Sequence, residues 1–194
     1  MMLLPTSTVT FLFTDIQGST QLWEQRPEAM QSALARRDAI LREAIEAHEG
    51  RVIKTTGDDC HAVFASTANA ATAVLAAQRH LQSPISNLQI RVRMALHTGE
   101  AEARAGDYFG QALNQAARLT SIGHSGQIRL SPVMADLGRD QLPGRWTSLS
   151  RSKNAPAGFA IQRLGGGLQI RREQKLDLLS LLLQSCGPRA GHRR

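Results

Sequence analysis

The chain of 194 residues holds only two cysteines, and aromatic side chains make up 4% of it. Cys60 and Cys186 have neither metal-ligand spacing nor the spacing of a redox pair, which excludes a zinc ribbon or thioredoxin-like motif and fits a reducing compartment. So few aromatics leave little on which bases could stack, and the core has to be built from aliphatic side chains and alanine. No run approaches the roughly 20 apolar residues of a membrane span. The apolar run at 9–13 is too short for a signal-peptide core and no basic residue precedes it, so a cytoplasmic location is expected.

Acidic residues are also missing, but only from one end. From Arg145 onward there are ten Lys and Arg against two Asp and Glu, leaving thirteen basic and fourteen acidic residues before it. The formal charge of +7 therefore belongs to the tail and the body is close to neutral. A high isoelectric point of this origin does not mark the body as a nucleic-acid binder, and no nucleic-acid partner is expected. In the tail, Arg171, Arg172 and Lys175 precede an apolar stretch at 176–183. That combination suits a segment lying on an anionic membrane or docking on a partner, or, as the plainer reading, a helix packed on its own body or a poorly ordered extension. Length predicts one domain over residues 1–165, with 166–194 as a basic C-terminal extension.

What is present is periodicity. Residues 8–16 form a β-branched and aromatic run that reads as a buried strand, and Gly18-Ser19-Thr20 then turn the chain into a helix. Pro27 suits a first helical position, and apolar residues recur at helical spacing from 28 to 48, with charged residues on the remaining, solvent-assigned face. Gly50 is the expected stop. Strands at 51–56 and 60–65 flank a turn at Gly57-Asp58-Asp59. Ser66 caps a helix to about residue 81, and 90–96 alternate as a strand with one buried face. A loop through Gly106, a helix at 110–121, a strand at 127–130 and a short helix opened by Ser131 and Pro132 follow. Two weaker strands are expected at 146–149 and 159–164. The order predicts an α+β fold, helices over a mainly antiparallel sheet.

Three places carry chemistry. Asp15 stands where the first strand ends and Asp58 in the tight turn of a hairpin. If those strands are neighbours, two carboxylates converge at one end of a sheet, able to hold divalent cations around a nucleotide's phosphates. The amides at the helix start after Gly18 suit a phosphate. Asp and Gly are equally ordinary turn residues, and Ser19 or Thr20 equally ordinary caps. Asn114 and Arg118, four apart on a helix, share a face on which an amide and a guanidinium could meet a sugar and a phosphate. Asp107 precedes that helix, and Lys54 precedes the acidic turn.

Phe13-Thr14-Asp15-Ile16-Gln17-Gly18-Ser19-Thr20, Lys54-Thr55-Thr56-Gly57-Asp58, Asp107-Tyr108-Phe109-Gly110 and Asn114-Gln115-Ala116-Ala117-Arg118 occur in the order and spacing of the class III nucleotidyl cyclases. The chain from residue 8 to about 137 resembles the catalytic domain of that family, of the adenylate cyclase type. The resemblance implies a ferredoxin-like, palm-type sheet and a homodimer whose two sites are shared across the interface. It implies that Asp15, Asp58 and the Ile16 carbonyl bind two divalent cations, Mg2+ or Mn2+. Gly18, Ser19 and Thr20 then fall in the substrate-binding set, Lys54 and Asp107 read adenine, Asn114 orients the ribose and Arg118 stabilises the transition state. Lys54 can only donate and ionised Asp107 only accept, which matches N1 and the 6-amino group of adenine and opposes guanine, so ATP is the implied substrate. Spacing from Lys54 selects Asp58 over Asp59.

The C-terminal part departs from the family: its Leu-Lys-Gly or Leu-Lys-Asp hairpin signature is absent. A non-catalytic cyclase-like dimerisation module and a guanylate cyclase are the alternative readings. A polymerase palm would need fingers and a thumb for which the body is too short.

Overall fold

The computed structural model describes residues 8–83, 88–142, 147–148 and 160–163. By contacts the chain divides into Met1–Leu164 and Gly165–Arg194, and every described residue lies in the first unit. The elements in chain order are β1 (Thr8–Ile16), α1 (Ser19–Gln25), α2 (Pro27–Ala47), β2 (Arg51–Thr56), β3 (Asp59–Phe64), α3 (Thr67–His80) and β4 (Val92–Glu100). They continue with β5 (Glu102–Arg104), β6 (Asp107–Phe109), α4 (Gln111–Ser121), β7 (Gln127–Leu130), α5 (Pro132–Leu137), β8 (Thr147–Ser148) and β9 (Ala160–Arg163).

Seven strands form one sheet in the order β2-β3-β1-β4-β7-β9-β8, and β5 and β6 form a separate hairpin. Among the described strands only β4 and β7 run parallel; the other pairings of this sheet are antiparallel. The mainly antiparallel α+β architecture is therefore the expected one, with β1 an interior strand between β3 and β4. The expected strands at 146–149 and 159–164 appear as β8 and β9, so a hairpin does extend the sheet beyond β7 although the family's sequence signature for it is absent. The apolar stretch at 176–183 lies outside the described residues.

Alternation along β1 sets the two layers. Leu12 and Ile16 join α2 and α3 in the main core, with Met30, Leu41, Ile45, Val74 and Phe64. Val9, Phe11 and Phe13 face the other way, into a smaller cluster with Val63, Tyr108, Ala112 and Ala116, over which α4 and the β5–β6 hairpin lie. The Tyr108 ring meets Phe11 edge-on at 5.4 Å between centroids. Asp15 continues the odd-numbered face and thus opens towards α4.

Three expectations are corrected. The sequence pattern of 90–96 suggests a strand with one buried face, but Met94 to Thr98 are all buried and the strand runs on to Glu100. Both sheet faces are covered there, so polar residues such as His97 and Thr98 are inside, with Thr98 hydrogen-bonded to Thr10 at 2.9 Å. The loop through Gly106 contains the β5–β6 hairpin, closed by Ala105 and Gly106 at φ 52° and 84°. Two positive φ values are what the tight turn between Arg104 and Asp107 requires, and an Ala-Gly pair is a weak signal for it beside Asn-Gly. Finally, the charged face of α2 is not all solvated: Arg37 is fully buried.

Some local choices follow the sequence directly. Pro27 is the first residue of α2, and Ser66 and Ser131 cap α3 and α5, their hydroxyls accepting from the Asn69 and Met134 amides. Gly50 follows α2 as the expected stop, its amide donating to the Ile45 carbonyl at 2.8 Å. The left-handed residue after α2 is Glu49, at φ 58°. A side chain at Gly50 would lie 2.2 Å from the Phe64 ring, so that position needs glycine for packing.

Candidate active site

The acidic residues meet where β1 ends beside the β2–β3 hairpin. The hairpin register pairs Thr56 with Asp59, leaving Gly57 and Asp58 as a two-residue turn. Gly57 takes φ 58°, a conformation that glycine adopts without the Cβ penalty of other residues. β3 pairs with β1 up to Cys60 opposite Thr14, which delivers the turn next to Asp15. One carboxylate oxygen from each of Asp15, Asp58 and Asp59 lies within 4.8 Å of the others. Asp59 belongs to the strand rather than to the turn, a small correction to the expected boundary.

Three carboxylates so close repel one another. Burial first, and then the charges of Asp15 and Asp58, push the Asp59 carboxyl above the ordinary carboxylate range, against the opposing influence of Arg37 and Arg93. Hard oxygen donors in this number suit Mg2+ or Mn2+ rather than a softer ion, so the donor set fits a divalent-cation site.

The two arginines are the residues that sequence reasoning missed. Arg93, opposite Asp15 on β4, forms an ion pair with the Asp15 carboxylate through both Nε and Nη2. Its Nη1 donates to the Ser121 carbonyl at 3.1 Å, tying the end of α4 to the same corner. Arg37 approaches from the helix side, its Nη2 donating to the Gly57 carbonyl at 3.2 Å and its Nη1 3.1 Å from Asp38. The guanidinium thus grips the backbone of the acidic turn from beneath. Neither role is visible in a linear pattern: Arg93 alternates as the polar side of a strand and Arg37 falls among the charged residues of a helix. Arg37→Ala is expected to lower the unfolding free energy by roughly 2–4 kcal/mol, from the cavity and the lost charged hydrogen bond. Urea denaturation would measure it.

The base-reading candidates lie on the α4 side of the same sheet. A one-residue bulge at Ile53 shifts the β2–β3 register so that Lys54, not Ile53, stands opposite His61. His61 in turn stacks on Phe13, with centroids 3.8 Å apart and planes 10° from parallel. Burial and the Lys54 charge lower the His61 pKa, and Asp107 counteracts them, so both charges act at this ring. Asp107 opens β6 directly after the Ala105-Gly106 turn, its carboxylate accepting from the Tyr108 amide at 2.8 Å.

Asn114 and Arg118 share the exposed face of α4, whose other side is held by Ala112, Ala116 and Leu119. Among the described residues neither side chain makes a hydrogen bond or ion pair. At the start of α1, Gly18 is the N-cap at φ 75°, with no side-chain cap; Ser19 and Thr20 are helical, so neither of them caps the helix.

A model of the adenylate and guanylate cyclase catalytic domain matches residues 2–145. The chain belongs to this family. An uncharacterised protein of Mycobacterium tuberculosis is 41% identical over 141 residues, 72% of this chain and 48% of the relative. An adenylate cyclase of Podospora anserina is 32% identical over 154 residues, 66% of this chain and 7% of that enzyme. The chain thus spans about half of one relative and a small part of the other. The adenylate cyclases of Trypanosoma brucei, solved in their monomeric state, share the fold with a TM-score of 0.70. Their identity is 23%, over 81% of this chain and 89% of theirs. The sheet and its helices are the class III cyclase catalytic fold.

Proposed function

We propose that this cyclase domain is an adenylate cyclase, converting ATP to 3′,5′-cyclic AMP and pyrophosphate as a homodimer with two shared sites. The observation that carries the reading is the cluster of carboxylates at Asp15, Asp58 and Asp59 where β1 ends beside the hairpin, with Lys54 presented opposite His61 on the adjoining strand.

Asp15 and Asp58, with the Ile16 carbonyl, would hold two divalent cations, Mg2+ or Mn2+, which when bound lower the pKa of a substrate hydroxyl and neutralise polyphosphate charge. Lys54 donates to N1 of adenine and Asp107 accepts from its 6-amino group. Gly18, Ser19 and Thr20 lie at the phosphate end of the substrate. Asn114 orients the ribose so that its 3′-oxygen lies in line with the α-phosphorus. The new bond forms there as the bond to pyrophosphate breaks, and the hydroxyl proton leaves to solvent. Arg118 neutralises the charge growing on the α-phosphoryl oxygens. Positioning and electrostatics supply the catalysis, and no side-chain base is invoked.

Among the described residues Asn114 and Arg118 have no side-chain partner, which fits a face completed by a second chain. The metal residues of one protomer would meet the base, ribose and transition-state residues of the other. No helix among the described residues is long and apolar enough to cross a membrane. A cytoplasmic signalling enzyme is our reading.

Purified protein incubated with ATP and MnCl2 should yield cyclic AMP and pyrophosphate in equal amounts, followed by chromatography. A parallel GTP reaction should be slower by at least about tenfold, since guanine meets a donor with a donor and an acceptor with an acceptor. Equal rates would replace the ATP assignment, and no product from either nucleotide would favour the non-catalytic module.

A further inference from the structure

The bulge at Ile53 is a device for turning one side chain round. Val52 opposes Ala62, and both contribute to the main core beneath α2 and α3. With unbroken alternation Ile53 would oppose His61, and Lys54 would oppose Cys60 and point into that core. The extra residue moves the pairing by one, so that Lys54 opposes His61 while Thr55 takes the place opposite Cys60. Ile53 packs in the smaller cluster with Phe13 and Val63, on the face that carries His61. A bulged residue that partly buries its own apolar side chain there is held in place, and with it the direction of Lys54.

His61 completes the arrangement. In the strand order β2-β3-β1, Phe13 lies on one side of it and Lys54 on the other. Near-parallel stacking on Phe13 fixes the imidazole plane, and β2 pairs with the other edge of β3. A lysine is a point charge on a flexible four-carbon stem, and directing it takes a neighbour that restricts the stem. Without such a neighbour the flexible stem leaves the Lys54 ammonium free to turn away from the base and towards a carboxylate. A Lys54–Asp107 ion pair would use up the donor and the acceptor that read the base.

We propose that His61 is a positioning residue for base recognition: stacked on Phe13 and opposite the bulge-presented Lys54, it supports the lysine stem and keeps the ammonium available to the base. This deepens the proposed function and rests on Lys54 and Asp107 being the base-reading pair.

The test compares His61→Ala, His61→Leu and His61→Phe with wild type and with Lys54→Ala, each checked for folding by circular dichroism. It reads the ratio of kcat/KM for ATP to that for GTP, and the calorimetric binding of α,β-methylene-ATP against α,β-methylene-GTP. His61→Ala and His61→Leu should lower the ratio by about tenfold, chiefly by raising KM for ATP, with kcat nearly kept. His61→Phe supplies a flat ring and should retain most of the preference. The analogues should show the same loss without any turnover. Lys54→Ala separates the two claims. If it leaves the ratio unchanged, the base-reading assignment fails and the inference with it. If it collapses the ratio while His61→Ala does not, only the inference is overturned. Loss of kcat for both nucleotides at an unchanged ratio would likewise overturn it, as the mark of general packing. Should His61→Ala fail to fold, the difference between the leucine and phenylalanine variants decides.

Discussion

Asp15→Ala and Asp58→Ala should each leave a folded protein whose cyclisation rate falls by about a thousandfold or more. Each carboxylate is assigned to a cation whose charge supplies several kcal/mol of transition-state stabilisation, and each tenfold in rate is about 1.4 kcal/mol. The fold should survive because both residues sit at the margin of the sheet, and the Arg93 guanidinium freed from Asp15 keeps its bonds to the Ser121 and Gly123 carbonyls. Asp59→Ala should be much milder, although its carboxylate lies in the same cluster. Spacing from Lys54 assigns the ligand role to Asp58, and removing Asp59 also relieves repulsion among the three. Rates of cyclic AMP formation at saturating manganese, with melting curves for each variant, make the comparison. Near-normal activity in either of the first two would sink the metal assignment, and a larger loss in Asp59→Ala than in Asp58→Ala would move the ligand by one residue.

Mixing two dead homodimers should restore activity. If Asp15 and Asp58 come from one chain and Asn114 and Arg118 from its partner, Asp15→Ala and Arg118→Ala proteins are both nearly inactive alone. Loss of Arg118 should lower kcat more than nucleotide binding, because its charge answers one that develops only in the transition state. After equal mixing and subunit exchange, half of the dimers are hybrids. Each hybrid has one site with both lesions and one with neither, so independent sites give about a quarter of wild-type activity. Absence of recovery, once exchange is demonstrated by differently tagged subunits, means that the site is built within one chain.

The elements that repeat a period over many residues were legible. Pro27–Ala47 carries an apolar stripe opened by a proline at its N-terminus, and Thr8–Ile16 is a long run of β-branched and aromatic residues. Caps such as Ser66 and Ser131 marked boundaries because their hydroxyls satisfy amides three residues on. The carboxylates at 15 and 58 were legible as a pair once a strand end and a hairpin turn were assigned, and their convergence needed only that β1 and β3 be neighbours. What escaped depends on tertiary neighbours. Arg37 is indistinguishable in sequence from Arg36 or Arg42, and only the hairpin arriving above it makes it a buried donor. Arg93 finds Asp15 because β4 pairs with β1 in one particular register. The Ile53 bulge leaves only a faint mark, the adjacent apolar pair Val52-Ile53 in a run that otherwise reads simply as β-type.

The position of β1 also sets an order of assembly. Its partner β3 becomes available once Phe64 has been made, but Thr8 pairs with Glu100, at the far end of β4. Pairings so distant along the chain must overcome loop-closure entropy before they gain contact energy, and they slow folding. While the chain is being synthesised, the strand bearing Asp15 emerges early and keeps one edge open until β4 exists. An apolar, β-branched strand with an open edge is a template for pairing with other chains. The run that carries the Asp15 carboxylate in the finished sheet is thus the segment that most needs shielding before the sheet is complete.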